Sequence, residues 1–377
     1  MKLTHTLFSV LGATLLAASS AHAEKFAVSG WSPPNHVMTV EIHQAWADAM
    51  RKGTNGKIDF DVFSAGALLP PLSTMQGIRD GVAQAGHVAA PYHPAEFPVN
   101  NLVGDIGHSV GDTLVLAAAY LDFSMNDPVG FKEWRDNGNL PINAVATPLN
   151  RYICRSVIRT LDDLKGKRIR TPGGGWSRAA QHLGAIPVNL PFNEAYTALE
   201  RGAVDCVLTD ATNLTRGLTL VDLTKSVLMM QFQPGFNVSQ LAMNPTFWRA
   251  RSNDERRMML NESAVTMAKA YMVYNQAEAD ALAASRAKGV QIVEPDATLK
   301  ASYAKWVADG FGDVAGFARD RLKIGDPQKH ITNFQTGYLD KWSKLLANVD
   351  RKNQAAIVAA LRTNLFDKVD VATWGMR

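Results

Sequence analysis

The segment from Leu161 to Asp205 constrains the fold of this chain more than any other stretch. Its basic, alternating run at 167–170 predicts a strand, which Thr171-Pro172 ends because proline has no N–H for a sheet ladder. Three consecutive glycines at 173–175 then let the backbone turn freely, and a helix is expected over 176–183. A strand followed by a glycine loop and a helix N-terminus is typical of open α/β sheets, in which ligands gather at the carboxyl ends of the strands.

Arg170 stands at the end of this predicted strand. Its guanidinium is a planar fork that fits a carboxylate with two hydrogen bonds. An ordinary surface arginine beside a simple turn would give the same local pattern, so the residues alone leave both interpretations open. Neither a Walker sequence nor GxGxxG is present, which disfavours nucleotide binding.

The N-terminal residues predict export. Residues 1–23 combine a positive start, an apolar run and the small-x-small sequence Ala21-His22-Ala23, which is typical of a secretory signal peptide. We therefore expect the mature chain to begin at Glu24 and to reside in the periplasm. The formal net charge of +4 is spread over 377 residues without a lysine or arginine block, which argues against a nucleic-acid partner. No HExxH or GxSxG sequence is found, so no metal site or hydrolase nucleophile is predicted.

The chain contains two cysteines, Cys154 and Cys206. In an oxidising compartment they could form one disulfide. They could equally be two small apolar residues buried in a core. The sequence leaves both possibilities open.

Strand and helix patterns alternate with short connections over the first part of the mature chain, which predicts a parallel α/β sheet. The strands are predicted at 25–30, 57–63, 84–89 and 141–147. An apolar strand at 236–244 is assigned back to the first domain, and a long helix is expected over 253–288. The predicted division gives lobe I at 24–149 and 235–275, lobe II at 150–234 and 276–330, and a C-terminal helical extension at 331–377.

Several short motifs of the chain recur together in a known family. They are LDDLKGKRIRTPGG, PFNEAYTALERGAVD and NGKIDFDVFSAGALLPP. Between about Glu24 and Val293 the chain resembles the periplasmic substrate-binding proteins of TRAP transporters, the DctP-type extracytoplasmic solute receptors. The resemblance implies a type-II-like periplasmic binding protein, with two α/β lobes joined by hinge crossings. The residue pattern from 296 to 377 predicts long C-terminal helices in addition. The resemblance also implies a monomeric or dimeric receptor without a cofactor, not an enzyme, that closes on a small organic carboxylate and delivers it to membrane carrier subunits.

The resemblance also assigns ligand contacts to particular residues. Arg170 would hold the substrate carboxylate, and Phe192 would stack on the bound solute. Arg151 and Arg155, in the crossing between the domains, would assist the carboxylate. Thr209 occupies the place of an asparagine that touches the ligand in the family. The remaining candidates lie beside these motifs or in predicted cleft loops, where packing or surface roles are the alternative: Asn193, Asp210, Trp31, Trp176 and His87.

Two departures from the family pattern bear on the ligand. The family continues its GxVDG motif with ENP, whereas this chain continues with Cys206 to Asp210, and the loop at 68–71 is apolar where sugar-acid receptors carry polar residues. The apolar loop is also explained if it is simply a packed loop. Together the departures favour a smaller or more apolar carboxylate over a sugar acid, while dicarboxylates, keto acids and aromatic acids stay open. The rival functions are a periplasmic enzyme that acts on a small acid and a ligand-binding protein that feeds a membrane sensor.

Overall fold

A computed structural model describes residues 24–236 and 238–377. The expected signal peptide at 1–23 lies outside the described residues. The strands are β1 (Glu24–Ser29), β2 (Ile58–Phe63), β3 (Ala85–Ala89), β4 (Leu140–Pro141), β5 (Asn150–Cys154), β6 (Arg168–Thr171), β7 (Ile186–Asn189), β8 (Cys206–Thr209), β9 (Ser226–Phe232), β10 (Val238–Met243) and β11 (Gln291–Val293). The helices are α1 (Ala45–Gly53), α2 (Thr74–Arg79), α3 (Pro98–Asp105), α4 (Thr113–Asn126), α5 (Pro128–Asp136), α6 (Leu161–Leu164), α7 (Gly174–His182), α8 (Ala195–Glu200), α9 (Pro245–Arg249), α10 (Asn253–Ala287), α11 (Ala297–Ala308), α12 (Gly310–Asp320), α13 (Pro327–Asn333), α14 (Asp340–Leu346) and α15 (Gln354–Asn364).

The first sheet has the strand order β2-β1-β3-β10-β4. Strands β1, β2 and β3 are parallel, but β10 runs antiparallel to both β3 and β4. The parallel arrangement predicted for the first part of the chain is therefore confirmed for β1, β2 and β3, whereas β10 adds antiparallel pairs because the chain enters it from the opposite direction when it returns from the second sheet. The strand predicted at 141–147 is reduced to Leu140–Pro141 and an isolated bridge between Ala144 and Ser239. Proline at 141 removes a ladder donor at the point where that strand would continue.

The second sheet has the order β11-β9-β5-β8-β6-β7. Strands β6, β7 and β8 are parallel, whereas β5 is antiparallel to β8 and to β9. Strand β9 was not predicted from the sequence, because its mostly buried run SVLMMQF lacks the alternation of a half-exposed strand. Cys154 and Cys206 lie directly opposite each other on β5 and β8, and they form a disulfide.

The chain passes from the first sheet to the second between β4 and β5, and it returns between β9 and β10. Helix α10 then runs uninterrupted for 35 residues, or about 52 Å at 1.5 Å per residue. Its N-terminus is fixed by a capping box in which Ser252 and Glu255 exchange hydrogen bonds. The helix packs on α1 near the first sheet and on the turn at Ala211–Leu214 near the second, so it joins the two halves.

The C-terminal helices are held against both halves of the molecule. Helices α11 and α12 pack on α7, and α12 also contacts α3. Further along, Trp342 donates to the Asp122 carboxylate on α4, and Trp374 donates to the backbone oxygen of Met125. The observed architecture confirms the predicted α/β class with long C-terminal helices. Within the described part of the chain, no helix has the length and apolar character needed to span a membrane.

Candidate functional site

A cavity of about 100 Å³ lies between the two sheets. Its walls come from segments that follow the carboxyl ends of strands in both sheets, as expected for α/β proteins. Trp31 follows β1 and Tyr92 follows β3 in the first sheet, while Arg170 lies in β6 and Thr209 ends β8 in the second. The cavity therefore exists only where the two halves of the molecule meet.

Aromatic rings form one wall of this cavity. Trp31 stacks on His87 with ring centroids 3.7 Å apart and planes 12° apart, and its indole N–H donates to the His87 backbone oxygen at 2.9 Å. The Phe192 ring lies 6.0 Å from the Trp31 ring across the interface between the halves. Trp176 also lines the cavity, and its indole N–H donates to the Gln233 backbone oxygen at 3.0 Å. Hydrogen bonds thus orient both indoles and leave their rings as apolar surface.

Arg170 is the cationic group of the cavity, and its side chain is buried. The guanidinium donates to the backbone oxygens of Leu190 at 2.9 Å and Leu208 at 3.4 Å, and to the Tyr92 hydroxyl at 3.2 Å. No carboxylate among residues 24–236 and 238–377 forms an ion pair with it. Burial lowers the pKa of Arg170, because desolvation disfavours the charged form. The site therefore holds a desolvated cation whose hydrogen-bond partners are all neutral.

Tyr92 connects Arg170 with Phe192 across the interface. Its hydroxyl accepts a hydrogen bond from the Phe192 backbone N–H at 3.0 Å as well as from Arg170. The hydroxyl lies on the first half of the molecule, whereas both of its donors lie on the second. This tyrosine was not predicted as a site residue. The available signal was its position just after a buried strand, where ligands gather.

Thr209 and Asp210 line the cavity after β8. Asn213 donates to the Thr209 hydroxyl at 3.0 Å and to the Asp210 carboxylate at 3.1 Å. Asp210 also accepts from the backbone N–H of Thr212 at 3.0 Å, so its carboxylate caps the turn that follows. Burial raises the pKa of Asp210 to about 6. Its hydrogen bonds are used within its own segment, which is a structural role.

Three buried histidines lie on the side of the first sheet. His36 and His87 line the cavity, and His43 lies behind them with its ring 6.0 Å from that of His87. Burial lowers the pKa of His36 to about 3 and that of His43 to about 4, and it lowers the pKa of His87 well below the usual value. All three side chains are therefore neutral at physiological pH. No group of three or more His, Cys, Asp or Glu side chains within the described ranges is placed to hold a metal ion.

Three of the residues proposed from the sequence lie outside the cavity. Arg151 points to the opposite face of β5, where it pairs with Glu278 at 3.4 Å, because neighbouring strand residues alternate between faces. Asn150, one position earlier, lines the cavity instead. Arg155 is exposed beyond the end of β5 and donates to the Leu199 backbone oxygen, and Asn193 is exposed next to Phe192. The lining of the cavity therefore does not include these three side chains.

The two halves of the molecule are also joined beside the cavity. Asp105, at the end of α3, accepts a hydrogen bond from the Gly175 backbone N–H at 2.7 Å and pairs with Arg178 at 2.7 Å. It thereby caps the N-terminus of α7 from the opposite half of the molecule. Gly173 and Gly174, which lead into this helix, have φ angles of 108° and 56°, a region that favours glycine. In this arrangement, called closed below, the two halves contact each other directly beside the cavity.

Comparison with known proteins agrees with this architecture. The family model described as bacterial extracellular solute-binding protein, family 7, the DctP family, matches residues 28–308. A monocarboxylate 2-oxoacid-binding periplasmic protein from Nostoc is 24% identical over 164 residues, which are 40% of this chain and 41% of that relative. The chain thus aligns with less than half the length of that relative.

Solved structures are similar over most of the chain. A TRAP solute binding protein from Rhodoferax ferrireducens, in complex with copurified benzoate, superposes with a TM-score of 0.73 at 19% identity, and the match covers 85% of this chain and 99% of that one. A marine metagenome TRAP solute binding protein specific for aromatic acid ligands, from an unidentified microbe, gives a TM-score of 0.73 at 18% identity over 84% of this chain and 99% of that one. The match to the family model extends over most of the sequence and confirms the resemblance seen in its motifs. The chain belongs to the DctP family, family 7 of the bacterial extracellular solute-binding proteins.

Proposed function

We propose that this protein is the extracytoplasmic receptor of a TRAP-type transporter, and that it captures a small monocarboxylic acid with a flat or apolar body. The two lobes close around the acid, and the closed form delivers it to membrane carrier subunits. No chemical conversion of the acid is part of this function. A receptor needs a site that holds its ligand reversibly, and the cavity between the two sheets supports this proposal.

The observation that carries the proposal is the state of Arg170. Its guanidinium is buried, and no carboxylate of the described residues pairs with it. A buried cation costs free energy unless an anion compensates it, so a site of this kind is completed by an anionic ligand. The planar guanidinium matches a carboxylate, and the neighbouring Tyr92 hydroxyl can donate its own proton to the same group.

The charges around the cavity favour a single carboxylate. Arg170 is the only lysine or arginine among the residues of the described chain that line it, and the lining also includes the acidic Asp210. His36 and His87 are kept neutral by burial and cannot compensate a second negative charge. A dicarboxylate would therefore leave one carboxylate buried without a cation, which is strongly unfavourable.

The size and lining of the cavity favour a compact, apolar body. The cavity of about 100 Å³ is smaller than the apolar cavity of roughly 150 Å³ that holds benzene, so its size favours a small ligand body. Trp31, Trp176 and Phe192 provide flat surfaces on which a planar group can stack. The similarity to receptors that bind benzoate and other aromatic acids supports the same class of ligand.

The proposal is tested by calorimetric titration of the exported chain with a panel of carboxylic acids. The panel contains benzoate, pyroglutamate, short aliphatic monocarboxylates, dicarboxylates and a hexuronate, and each mixture is also examined by NMR for conversion of the acid. We expect a small monocarboxylate to bind and to be recovered unchanged. Binding restricted to dicarboxylates or sugar acids would contradict the proposed ligand class, and steady turnover would contradict the receptor function.

Two arginine variants test the proposed anchor. Arg170→Met removes charge-assisted hydrogen bonds of about 1.5–3 kcal/mol and leaves the ligand carboxylate unpaired, so Kd should rise by about two to three decades or more. Arg155→Met is the matched control, because this arginine lies outside the cavity and should leave Kd unchanged. Equal affinity of the Arg170 variant and the wild type would remove this residue from the site.

A further inference from the structure

His36 combines a buried side chain with a polar atom that has no hydrogen-bond partner among the described residues. Its side chain is 3% exposed and lines the cavity. Nδ1 of His36 accepts a hydrogen bond from the Met38 backbone N–H at 3.2 Å. Nε2 makes no hydrogen bond to any residue that the structure describes. The unpartnered Nδ1 atoms of His43 and His87 differ from it, because they are sealed inside the protein.

The protonation state of His36 follows from its surroundings. Since Nδ1 accepts a hydrogen bond, the single proton of the neutral ring lies on Nε2. Burial, together with the nearby charge of Arg216 and the neighbouring His43, lowers the pKa of His36 to about 3. The ring therefore presents one neutral N–H donor over the whole physiological pH range.

His36 and Arg170 reach the cavity from different sides of Phe192. The His36 ring lies edge-on to the Phe192 ring, with centroids 5.5 Å apart. Arg170 instead contacts the Tyr92 hydroxyl, which accepts the Phe192 backbone N–H at 3.0 Å. Arg170 thus lies toward the backbone of Phe192, and His36 lies at its ring. A planar ligand that stacks on Phe192 with its carboxylate at Arg170 extends its body toward His36.

We propose that His36 is a second recognition point of the cavity, at which Nε2–H donates a hydrogen bond to a hydroxyl or carbonyl oxygen on the body of the bound carboxylic acid. The inference rests on the proposed function and narrows its ligand to hydroxy- or oxo-substituted monocarboxylic acids. A site built to hydrogen-bond an oxygen disfavours the analogue that lacks it, because the buried donor is then left unpaired. A second carboxylate is not selected, because a neutral donor does not compensate its charge.

The test compares acids that differ by one oxygen. Calorimetry measures Kd for benzoate against 2-, 3- and 4-hydroxybenzoate, and for butyrate against 3-hydroxybutyrate and 2-oxobutyrate. For a parent acid that binds the wild type, we expect at least one substituted acid to bind about 2- to 12-fold more tightly, as for a neutral hydrogen bond. This advantage should not change between pH 5.5 and pH 8, because the donor stays neutral.

Three variants assign the advantage to His36. His36→Phe keeps an aromatic ring but removes the donor, so the advantage should fall to about onefold. His36→Gln keeps an N–H donor and should retain part of it. His182→Phe is the control, because this exposed histidine on α7 contacts only Ser302 on α11 among its described hydrogen-bond partners, and the advantage should persist.

The outcomes separate this inference from the proposed function. Three outcomes would overturn the role of His36. The affinity advantage of the substituted acid could be equal in the wild type and His36→Phe, it could be lost in both His36 variants, or it could be absent in the wild type. In each of these cases the receptor function would still stand if the unsubstituted parent acids bind tightly and if Arg170→Met weakens that binding. Failure of every acid to bind the wild type would instead overturn the proposed function itself.

Discussion

The contact of Asp105 with helix α7 gives a quantitative prediction for ligand affinity. Asp105 belongs to α3 in the first half of the molecule, and its partners Gly175 and Arg178 belong to the second half. The side chains of Asp105 and Arg178 are only 7% and 16% exposed, so water screens the ion pair little. These interactions stabilise the closed arrangement alone, since opening separates the two halves. Asp105→Ala should therefore weaken ligand binding although Asp105 need not touch the ligand.

The size of the effect follows from the two hydrogen bonds that are lost. Charge-assisted bonds contribute about 1.5–3 kcal/mol each, but Arg178 regains hydration when the lobes open, so we expect a net loss of about 2–4 kcal/mol from the closed form. The apparent Kd varies inversely with the population of the closed form. A receptor that is mostly open without ligand should then show a Kd raised about 30- to 700-fold, with 1.4 kcal/mol per decade.

The assay is calorimetric titration of the ligand found for the wild type, with Asp112→Ala as the matched control. Asp112 also caps a helix, α4, and it also pairs with an arginine, Arg351, at 2.7 Å. Both of its partners lie on the same side of the cavity, so its loss should lower the thermal stability without a change in Kd. Equal Kd values for Asp105→Ala and the wild type would refute the reasoning that this contact holds the lobes closed.

Two further predictions concern stability. Replacement of both Cys154 and Cys206 by alanine should lower the free energy of unfolding by about 2–4 kcal/mol in urea titrations, because the bond closes a loop with a sequence separation of 52; an unchanged free energy would contradict this. The pKa of His36, His43 and His87 lies below the unfolded value of about 6.5. The unfolded chain therefore binds protons that the folded chain does not, and the free energy of unfolding, which is full above pH 6.5, declines as the pH falls toward 4. Each histidine should lower the free energy of unfolding by about 2 kcal/mol at pH 5, and buried carboxyl groups with a raised pKa should offset part of this loss. His43→Gln should make the measured loss smaller by about 2 kcal/mol. An identical loss in His43→Gln and the wild type would contradict the assignment.

Much of the second half of the site could be predicted from the sequence. Arg170, Phe192 and Thr209 all lie at or just after the carboxyl ends of strands, and one continuous segment of the chain supplies them, so local motifs locate them. Arg151 was proposed for the same region. Successive residues of a strand point to opposite faces of the sheet, so a shift of one position in the sequence decides whether a side chain faces the cavity. Sequence reasoning that is uncertain by one residue cannot decide between those two faces.

The first half of the site was harder to predict, for a physical reason. Tyr92 and His36 belong to loops of the first sheet, and their roles arise only when those loops meet Phe192 and Arg170 of the second sheet. No local pattern encodes such a meeting, because the partners are distant in sequence. Strand β9 was missed for a different reason, since a continuous apolar run does not distinguish a buried strand from a buried helix.

The disulfide has a consequence for which side chains meet the ligand. Cys154 pairs with Cys206 in the same ladder that aligns Arg151 with Thr209, so the covalent bond fixes the alignment of β5 with β8. A shift of β5 by one residue would turn Asn150 away from the cavity and bring the charged Arg151 to face it. The bond therefore protects the chemical identity of the binding surface as well as its stability. Asn150 begins β5 and Cys154 ends it. Oxidation of the two thiols at one end of this strand therefore helps to determine which side chain meets the acid at the other end.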